Sequence, residues 1–176
     1  MSNVESRCLD AFPVWLRSLS EDALAFGALV SDAEQPEALR RQVAGALNYL
    51  FKSLDLIPDG IEDLGFLDDA FVFRVAAALA PPEGAPEAVT RLSEQAGLVR
   101  EFLGGDYERL ERFVSGLGSS VARGRTVEQI VTDVSACSAL VSDVKGWAGS
   151  YVVPSFARDT KNLVKLRSFL GTKLPA

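Results

Sequence analysis

Apolar residues recur at steps of three and four along almost the whole chain, which is the spacing of one face of an amphipathic helix. No stretch alternates apolar and polar residues between turn signals, as a half-buried strand of a hairpin does. The pattern therefore predicts an all-α fold, a multi-helix bundle of about seven or eight helices. The predicted helices cover approximately residues 3–19, 20–31, 36–51, 66–80, 86–104, 106–117, 126–151 and 154–174.

Prolines and short polar residues predict where several of these helices begin. Pro13 predicts a kink or a break in the first helical region, and Ser20 predicts the cap of the second helix. Pro36 and Pro154 suit the first position of the third and the last helix. Asp106 predicts the cap of the sixth helix.

The clearest periodicity begins at residue 126. Thr126 followed by Gln129 is the pattern of a capping box at a helix N-terminus. Apolar residues then fall on alternating steps of three and four, as in a coiled-coil seam. These residues are Val127, Ile130, Val134, Cys137, Val141, Val144, Ala148 and Tyr151. The pattern predicts a long helix packed within the bundle. A seam between two copies of the chain is the alternative, so both a monomer and a dimer stay open.

The length and composition are typical of a folded domain. The chain has 176 residues, of which 48% are apolar and 24% charged. This length predicts a single helical domain over residues 1–176. The stretch 81–86, PPEGAP, is a candidate boundary between two sub-halves, residues 1–80 and 86–176. It is too short to act as a free linker.

The segment between the third and fourth predicted helices is both acidic and apolar. This connector, LDLIPDGIEDLGFLDD at residues 54–69, contains six carboxylates, no basic residue, and seven Leu, Ile or Phe residues. Ile57 precedes a proline, which disfavours helical geometry there, and the following Pro-Asp-Gly predicts a turn. Because an open loop would expose much apolar surface, we expect the connector to fold down onto the helices that it joins.

Residues 48–73, NYLFKSLDLIPDGIEDLGFLDDAFVF, resemble the YkvA-like family of bacterial domains of unknown function (domain of unknown function 1232). The resemblance extends over about residues 36–80. The family pattern is a helix ending in Tyr-Leu, then S-P-x-D-L-I-P-D, an Ile-Pro, a Gly, and Leu-Asp-Asp opening another apolar helix. The matching residues are Tyr49, Asp55, Leu56, Ile57, Pro58, Asp59, Ile61, Gly65, Leu67, Asp68 and Asp69. Ser53 and Glu62 depart from the pattern, because the family usually has Pro at both positions. The resemblance implies a small helical module, often associated with membranes, without a known general activity.

One hypothesis gives the aspartates of the connector a structural role. A folded-down connector has N–H groups without helical partners, and each one buried unpaired costs on the order of 1 to 3 kcal/mol. Asp55 and Asp59 are then predicted to accept hydrogen bonds from N–H groups of the turn. Asp68 and Asp69 are predicted in or near the first turn of the next helix, where the helix dipole favours negative charge.

In the rival hypothesis, Asp55, Asp59, Asp68 and Asp69 supply oxygen ligands to a hard cation, Mg²⁺, Ca²⁺ or Mn²⁺. An ion would relieve the mutual repulsion of the six carboxylates. However, the spacing does not fit the D-x-D-x-D-G calcium loop, and D-D-A-F-V lacks the third acid of the D-D-x-x-D pyrophosphate motif. We therefore favour the structural hypothesis and expect no metal or cofactor.

The predicted helix over residues 66–80 is the most apolar of the chain, so we expect it to be central and largely buried. Arg74 lies on this helix and is the single positive charge between Lys52 and Arg91. A buried guanidinium needs a partner. We therefore predict an ion pair with a carboxylate of the connector or with Glu21 or Asp22. A side chain that snorkels to the surface is the alternative.

Charge and residue types exclude several functions. The net charge of −6 disfavours nucleic acid as a partner, because phosphate binding needs a basic surface. The chain has no histidine, which excludes Ser-His-Asp and Cys-His pairs and the common zinc sites. Cys8 and Cys137 are expected to be reduced and packed. The chain lacks a secretory signal pattern and a membrane-spanning apolar run, so a cytoplasmic location is expected.

The C-terminal region is basic, in contrast with the rest. From Pro154 onward the local charge is +4, and the remainder carries −10. The bases are Arg158, Lys161, Lys165, Arg167 and Lys173. They alternate with a rough apolar stripe of Phe156, Leu163, Leu166, Leu170 and Leu174. A helix of this kind can lie on an anionic membrane surface. We favour packing of the stripe on its own domain, with the bases facing the acidic surface.

These observations predict a non-catalytic helical module that binds a protein partner or a membrane surface in the cytoplasm. The alternative is an enzyme that uses a divalent cation, bound by the aspartates, on a phosphate-containing substrate. The lack of histidine, of a glycine-rich phosphate loop and of a complete acidic metal motif disfavours the enzyme.

Overall fold

The computed structural model describes residues 2–52, 55–61 and 63–176, and the predicted all-α multi-helix bundle is confirmed. The helices are α1 (Asn3–Ser31), α2 (Glu37–Leu50), α3 (Leu67–Leu79), α4 (Glu87–Leu103), α5 (Tyr107–Ser115), α6 (Val127–Thr132), α7 (Val134–Ser150) and α8 (Thr160–Lys173). Short 3-10 turns follow α4 and α5, at Gly104–Asp106 and Gly116–Ser119. The strands β1 (Val121–Ala122) and β2 (Arg125–Thr126) pair as a small antiparallel hairpin. Within the described ranges, no helix has both the length and the apolar character needed to cross a bilayer.

Helix α3 lies at the centre of the protein. All side chains of residues 67–77 are buried, and the helix packs mainly against α4 and α2, with further contacts to α5 and α1. Phe73 stacks on Phe26 of α1 with ring centroids 4.9 Å apart, and Phe71 meets Phe12 edge-on at 5.2 Å. The expectation of a buried central helix is confirmed.

The first two predicted helices form one helix, α1, so the helix boundary predicted at Ser20 and a break at Pro13 are both wrong. Proline inside a helix costs roughly 3 kcal/mol. Large side chains such as Phe12, Trp15 and Phe26 are buried on both sides of it, and each contributes about 1.5 to 3 kcal/mol by burial. A continuous helix keeps them on one face, which outweighs the cost of the proline. Ser20 is consequently an interior residue of α1 and caps nothing.

The long helix predicted to follow Thr126 is divided into α6 and α7. The capping box itself is confirmed, since Thr126 Oγ1 accepts a hydrogen bond from Gln129 N at 3.0 Å. Asp133 then adopts extended geometry, and its side chain caps α7 by accepting from Ser135 N at 2.9 Å. This break lets α6 pack on α2 while α7 packs on α1. As a result Val134, a member of the predicted seam, is 82% exposed.

The last helix begins later than predicted. Pro154 lies in an extended segment, residues 151–159, and α8 begins at Thr160. Asp159 Oδ1 accepts a hydrogen bond from Lys161 N at 2.9 Å. Asp159 is the better start because its carboxylate satisfies a free N–H group of the first turn, which a proline side chain cannot do.

The remaining expectations concern two cysteines and one cap. Cys8 and Cys137 are free and buried, as predicted. Asp106 precedes α5, but its side chain accepts from Arg109 Nη1 at 2.8 Å and makes no cap bond. Asp106 belongs to the 3-10 turn that joins α4 to α5, so its own backbone already has helical geometry. It therefore does not have the extended backbone that is typical of an N-cap residue.

Candidate functional site

The connector between α2 and α3 folds down onto the helices that it joins, as predicted. Leu56 and Ile57 are buried. The turn closes through main-chain bonds: Ile61 N donates to the Pro58 carbonyl oxygen, and Gly65 N donates to the Ile61 carbonyl oxygen, both at 3.0 Å. Leu54 and Glu62 of the connector, and Ser53 just before it, lie outside the described residues, and these include both departures from the family pattern.

Two backbone features press this turn against the start of α3. Gly65 approaches the turn so closely that a Cβ atom there would lie 2.3 Å from the Asp59 carbonyl oxygen, so only glycine fits. Asp63 and Phe66 both have a left-handed φ of 67°, which is a strained conformation for a bulky residue such as Phe66. The Phe66 ring packs edge-on against the Tyr151 ring at 5.3 Å. Packing by neighbours therefore holds the connector in this shape.

The aspartate cluster consists of Asp59, Asp68 and Asp69, with Asp55 beside it. One carboxylate oxygen from each member of the cluster lies within 4.8 Å of the others. Asp68 and Asp69 lie in the first turn of α3, as predicted, and are 0% and 1% exposed. Asp59 is exposed, and Asp55 is half-buried. The structure thus brings the four predicted residues together where the connector meets α3.

Tyr49 anchors the cluster, although no role was predicted for it. Its hydroxyl donates a hydrogen bond to Asp68 Oδ2 and accepts one from Leu56 N at 2.7 Å. Ile57 N also donates to Asp68 Oδ2, at 3.3 Å. Tyr49 therefore links the turn of the connector to Asp68, in the first turn of α3. Its place in the family pattern, together with the need of a buried tyrosine hydroxyl for a partner, was the available indication.

The role predicted for Asp55 and Asp59 is not observed. No described N–H group donates to either side chain, because main-chain carbonyl oxygens accept the bonds of the turn instead. Asp68 instead accepts a main-chain N–H, from Ile57, which is a role that the structural hypothesis gave to Asp55 and Asp59. Yet Asp55 Oδ1, Asp68 Oδ1 and Asp69 Oδ2 are buried and have no hydrogen-bond partner among the described residues. Hydrogen bonding to main-chain N–H groups therefore explains only some of the aspartates at this site.

Burial and mutual repulsion raise the pKa of each of these carboxyl groups. Burial raises the pKa of Asp68 to about 6, even though the hydrogen bond from Tyr49 opposes the shift. Burial, followed by the charges of Asp68 and Asp59, raises the pKa of Asp55 to about 7. Burial and then the neighbouring carboxylates raise the pKa of Asp69 well above its ordinary value. Carboxyl groups at this site therefore retain protons near neutral pH.

Residues 40–74 match the family model described as a protein of unknown function (DUF1232). Residues 40–74 are called here the DUF1232 segment. This segment runs from α2 into α3 and contains Tyr49 and the aspartate cluster. The predicted resemblance to domain of unknown function 1232 is thereby confirmed, whereas the YkvA-like label stays a prediction. No curated protein and no solved structure matches the chain.

Arg74, the last residue of the DUF1232 segment, is fully buried, so the snorkelling alternative is wrong. Its Nη2 atom lies 3.8 Å from Asp22 Oδ2, which is one of the predicted partners. Its Nε and Nη1 atoms donate to Gln95 Oε1 at 2.9 Å and to the Ala70 carbonyl oxygen at 3.0 Å. The guanidinium also lies over the Trp15 ring, 4.1 Å from its centroid. Arg74 thus pairs with α1 and not with the connector.

The apolar stripe of α8 packs on the protein, as predicted. Its buried members are Leu163, Leu166, Leu170 and Leu174. Phe156 was predicted on the same stripe but lies in the extended segment before α8, where its ring meets Phe12 at 6.1 Å. The inner side of α8 is therefore occupied by the core, and its outer side is left to the basic residues.

The five C-terminal bases fall into two groups. Arg158 pairs with Asp10, and Arg167 Nε donates to the Phe102 carbonyl oxygen at 2.9 Å. The outer side of α8, called here the lysine face, consists of Lys161, Val164, Lys165, Ser168, Phe169, Thr172 and Lys173. No carboxylate in the described part of the chain lies within 4.0 Å of its three ammonium groups. The expectation that these lysines face the acidic surface of their own domain is wrong, because the helix turns them to solvent.

We predict that the aspartate site makes the protein less stable as the pH rises, when a chelator is present. The folded-state pKa values of Asp55 and Asp68, about 7 and about 6, lie above the ordinary value of 3.8. Between those limits the folded protein binds more protons than the unfolded chain, so the free energy of unfolding falls with rising pH. Asp69→Asn removes one repelling carboxylate and should therefore gain stability relative to the wild type as the pH rises.

Urea denaturation of the two proteins at a series of pH values measures this difference. Glu83→Gln, at an exposed position in the 81–86 connection, is the control and should leave the pH dependence unchanged. A difference between wild type and Asp69→Asn that does not change with pH would contradict the prediction.

We also predict that Asp22→Asn destabilises the protein more than Arg74→Met does. Removing one partner of a buried pair costs about 3 to 5 kcal/mol, because a buried charge is left uncompensated. After Arg74→Met, by contrast, Asp22 still pairs with Arg91 at 2.6 Å and accepts from Ser18 Oγ at 3.0 Å. That loss should be about 1 to 2 kcal/mol, mainly from the unpaired Gln95 side chain. Urea denaturation checks the order, and the reverse order would refute it.

Proposed function

We propose that this protein is a non-catalytic helical module that docks on an anionic membrane surface through the lysine face of α8. One observation carries the proposal: Lys161, Lys165 and Lys173 are exposed on one side of a helix with no described carboxylate within ion-pair distance. Val164, which is 61% exposed, lies among them. Residues 160–176 contain no acidic side chain.

The overall charge distribution favours one orientation on such a surface. The region from Pro154 onward carries +4, and the rest of the chain carries −10. An anionic surface attracts the first part and repels the second, which presents the lysine face to the lipid. The three lysines contribute about 1 kcal/mol each near an anionic leaflet, and this contribution decreases as salt screens it. Binding of this strength is weak and reversible.

The character of the face suits lipid headgroups better than an acidic protein. Its cations are lysines, which are flexible point charges, whereas arginine offers the planar fork that recognises individual carboxylates. Arg158 and Arg167, the arginines of the region, are engaged within the protein. The apolar side chains Val164 and Phe169 between the lysines can enter the headgroup boundary. The membrane association implied by the YkvA-like resemblance agrees with this assignment.

A catalytic role has less support. The chain contains no histidine to move protons. Asp68 is engaged by Tyr49 and by main-chain nitrogen. These contacts support a site that holds the connector together or binds an ion, with no nucleophile or general base assigned to act on a substrate.

We predict that replacing Lys161, Lys165 and Lys173 together by Gln lowers the affinity for anionic vesicles about 100-fold, from about 1 kcal/mol per lysine. Co-sedimentation with vesicles containing phosphatidylglycerol measures the binding, and vesicles of phosphatidylcholine alone give the baseline. Raising the salt concentration should weaken wild-type binding.

A second triple variant, Arg17→Gln, Arg112→Gln and Lys145→Gln, is the matched control. These residues are exposed on α1, α5 and α7 and change the net charge by the same amount. The control should lose far less affinity than the lysine-face variant. Equal losses in the two triple variants, or the absence of wild-type binding to anionic vesicles, would overturn the proposal. Binding of an acidic protein through the same lysines without vesicle binding would assign the face to a protein partner.

A further inference from the structure

The geometry points to a divalent-cation site formed by Asp59, Asp68 and Asp69, where the connector meets α3. Two oxygens that bind one ion lie at most twice the metal–oxygen distance apart, which is about 4.8 Å for Ca²⁺ and about 4.2 Å for Mg²⁺. The three carboxylate oxygens all lie within 4.8 Å of one another. The pairwise limit for Ca²⁺ is met, so the spacing is compatible with one divalent ion that all three carboxylates bind.

The second observation is a pair of buried oxygens without partners. The side chains of Asp68 and Asp69 are 0% and 1% exposed, yet Asp68 Oδ1 and Asp69 Oδ2 accept no hydrogen bond within the described ranges. An unsatisfied buried acceptor costs about 1 to 3 kcal/mol, and more when it is charged. Buried polar groups in folded proteins are nearly always satisfied. The two free oxygens therefore indicate a ligand that the described residues do not supply.

The charge of the cluster selects a cation over other ligands. No lysine or arginine in the described part of the chain lies within 4.0 Å of these carboxylates. A water molecule could donate to the free oxygens but would leave their negative charges uncompensated. A shared proton neutralises one carboxylate of the three. A divalent cation satisfies all three oxygens and offsets two charges, and carboxylates are the ligands that Ca²⁺ prefers.

The surrounding contacts hold the three carboxylates in place for this role. Tyr49 and Ile57 N both donate to Asp68 Oδ2, which leaves Oδ1 as the free ligand atom. Such hydrogen bonds to the far oxygen orient a ligating carboxylate. The close approach of Gly65 fixes the Asp59 backbone against the start of α3. Asp59 is exposed, so an ion can arrive from solvent and retain water molecules on its outer side.

One force opposes the cation. The N-terminus of α3 carries a partial positive charge of roughly half an elementary unit, and Asp68 and Asp69 lie in its first turn. When all three are ionised, the carboxylates of the cluster carry −3 against it, and Asp55 lies close enough that its charge adds to theirs. The attraction for a divalent ion therefore exceeds the repulsion from the helix end.

Calorimetric titration of chelator-treated, full-length protein with Ca²⁺, Mg²⁺ and Mn²⁺, each added alone, tests the inference. Terbium luminescence gives a second readout, because Tb³⁺ takes the same oxygen ligands and is excited by a nearby tyrosine such as Tyr49. The variants are Asp59→Asn and Asp69→Asn. Asp63→Asn is the matched control: it lies in the same connector and removes the same charge, but it is not part of the cluster. Its left-handed backbone also accepts asparagine.

We expect Ca²⁺ to bind at one site, and Asp59→Asn and Asp69→Asn to weaken binding at least tenfold, with Asp63→Asn close to wild type. Because Asp59 is exposed, its variant should stay folded even if the buried substitution does not. Absence of binding of all three ions to the wild type, or an equal loss in Asp59→Asn and Asp63→Asn, would overturn the inference. The lysine-face triple variant should bind Ca²⁺ normally, so failure of the membrane proposal and failure of this one can be told apart.

Discussion

A helix that is buried on every side must begin inside the protein, and this constraint on α3 shapes the rest of the structure. Residues 67–77 offer no exposed face, so the connector that leads into α3 has to run inward from the surface. An inward path requires apolar side chains, which accounts for buried Leu56 and Ile57. It also carries the polar groups of the first turn, Asp68 and Asp69, into the interior. The coexistence of acidic and apolar residues in the connector follows from this single requirement.

Two charged sites on α3 meet the same constraint in different ways. The guanidinium of Arg74 lies 3.8 Å from the opposite charge of Asp22, donates to Gln95 and lies over the ring of Trp15, although its Nη2 makes no hydrogen bond to a described residue. Asp69, five residues earlier on the same helix, has a free buried oxygen and no described basic partner. The described residues therefore supply an opposite charge for Arg74 but none for Asp69. The contrast strengthens the case that the carboxylates are completed by something that comes from outside.

The sequence predicted features whose cause lies within one or two helical turns. The capping box at Thr126 and the burial of α3 are of this kind, since composition and spacing alone define them. Pro13 and Asp133 show where local rules failed. At Pro13 the helix stays continuous because aromatic side chains on both sides of the proline are buried. At Asp133 the periodicity predicted one helix, but the chain forms two because α6 packs on α2 and α7 packs on α1. Neither outcome can be read without knowing which helices become neighbours.

The candidate site shows the same division between local and distant causes. The first-turn positions of Asp68 and Asp69 followed from the pattern of α3. The hydrogen bond of Tyr49 joins residues 19 apart in the chain, and no local pattern assigns a partner to its hydroxyl. No described N–H group donates to the Asp59 side chain, because main-chain carbonyl oxygens accept the hydrogen bonds from the N–H groups of the turn. That competition between side-chain and main-chain acceptors is decided by backbone geometry, which residue types alone leave open.

The extended segment of residues 151–159 joins the aspartate cluster to the lysine face. Tyr151 packs on the strained Phe66 at 5.3 Å, and Ser155 Oγ donates to Asp63 Oδ1 at 3.3 Å. The segment therefore rests on the connector immediately before it leads into α8. The contact between the rings of Tyr151 and Phe66 thus ties this segment to the connector. An ion would bind at one end of this segment, beside the connector, and a membrane would bind at the other end, on α8. Both proposed sites therefore depend on the same packed stretch of backbone.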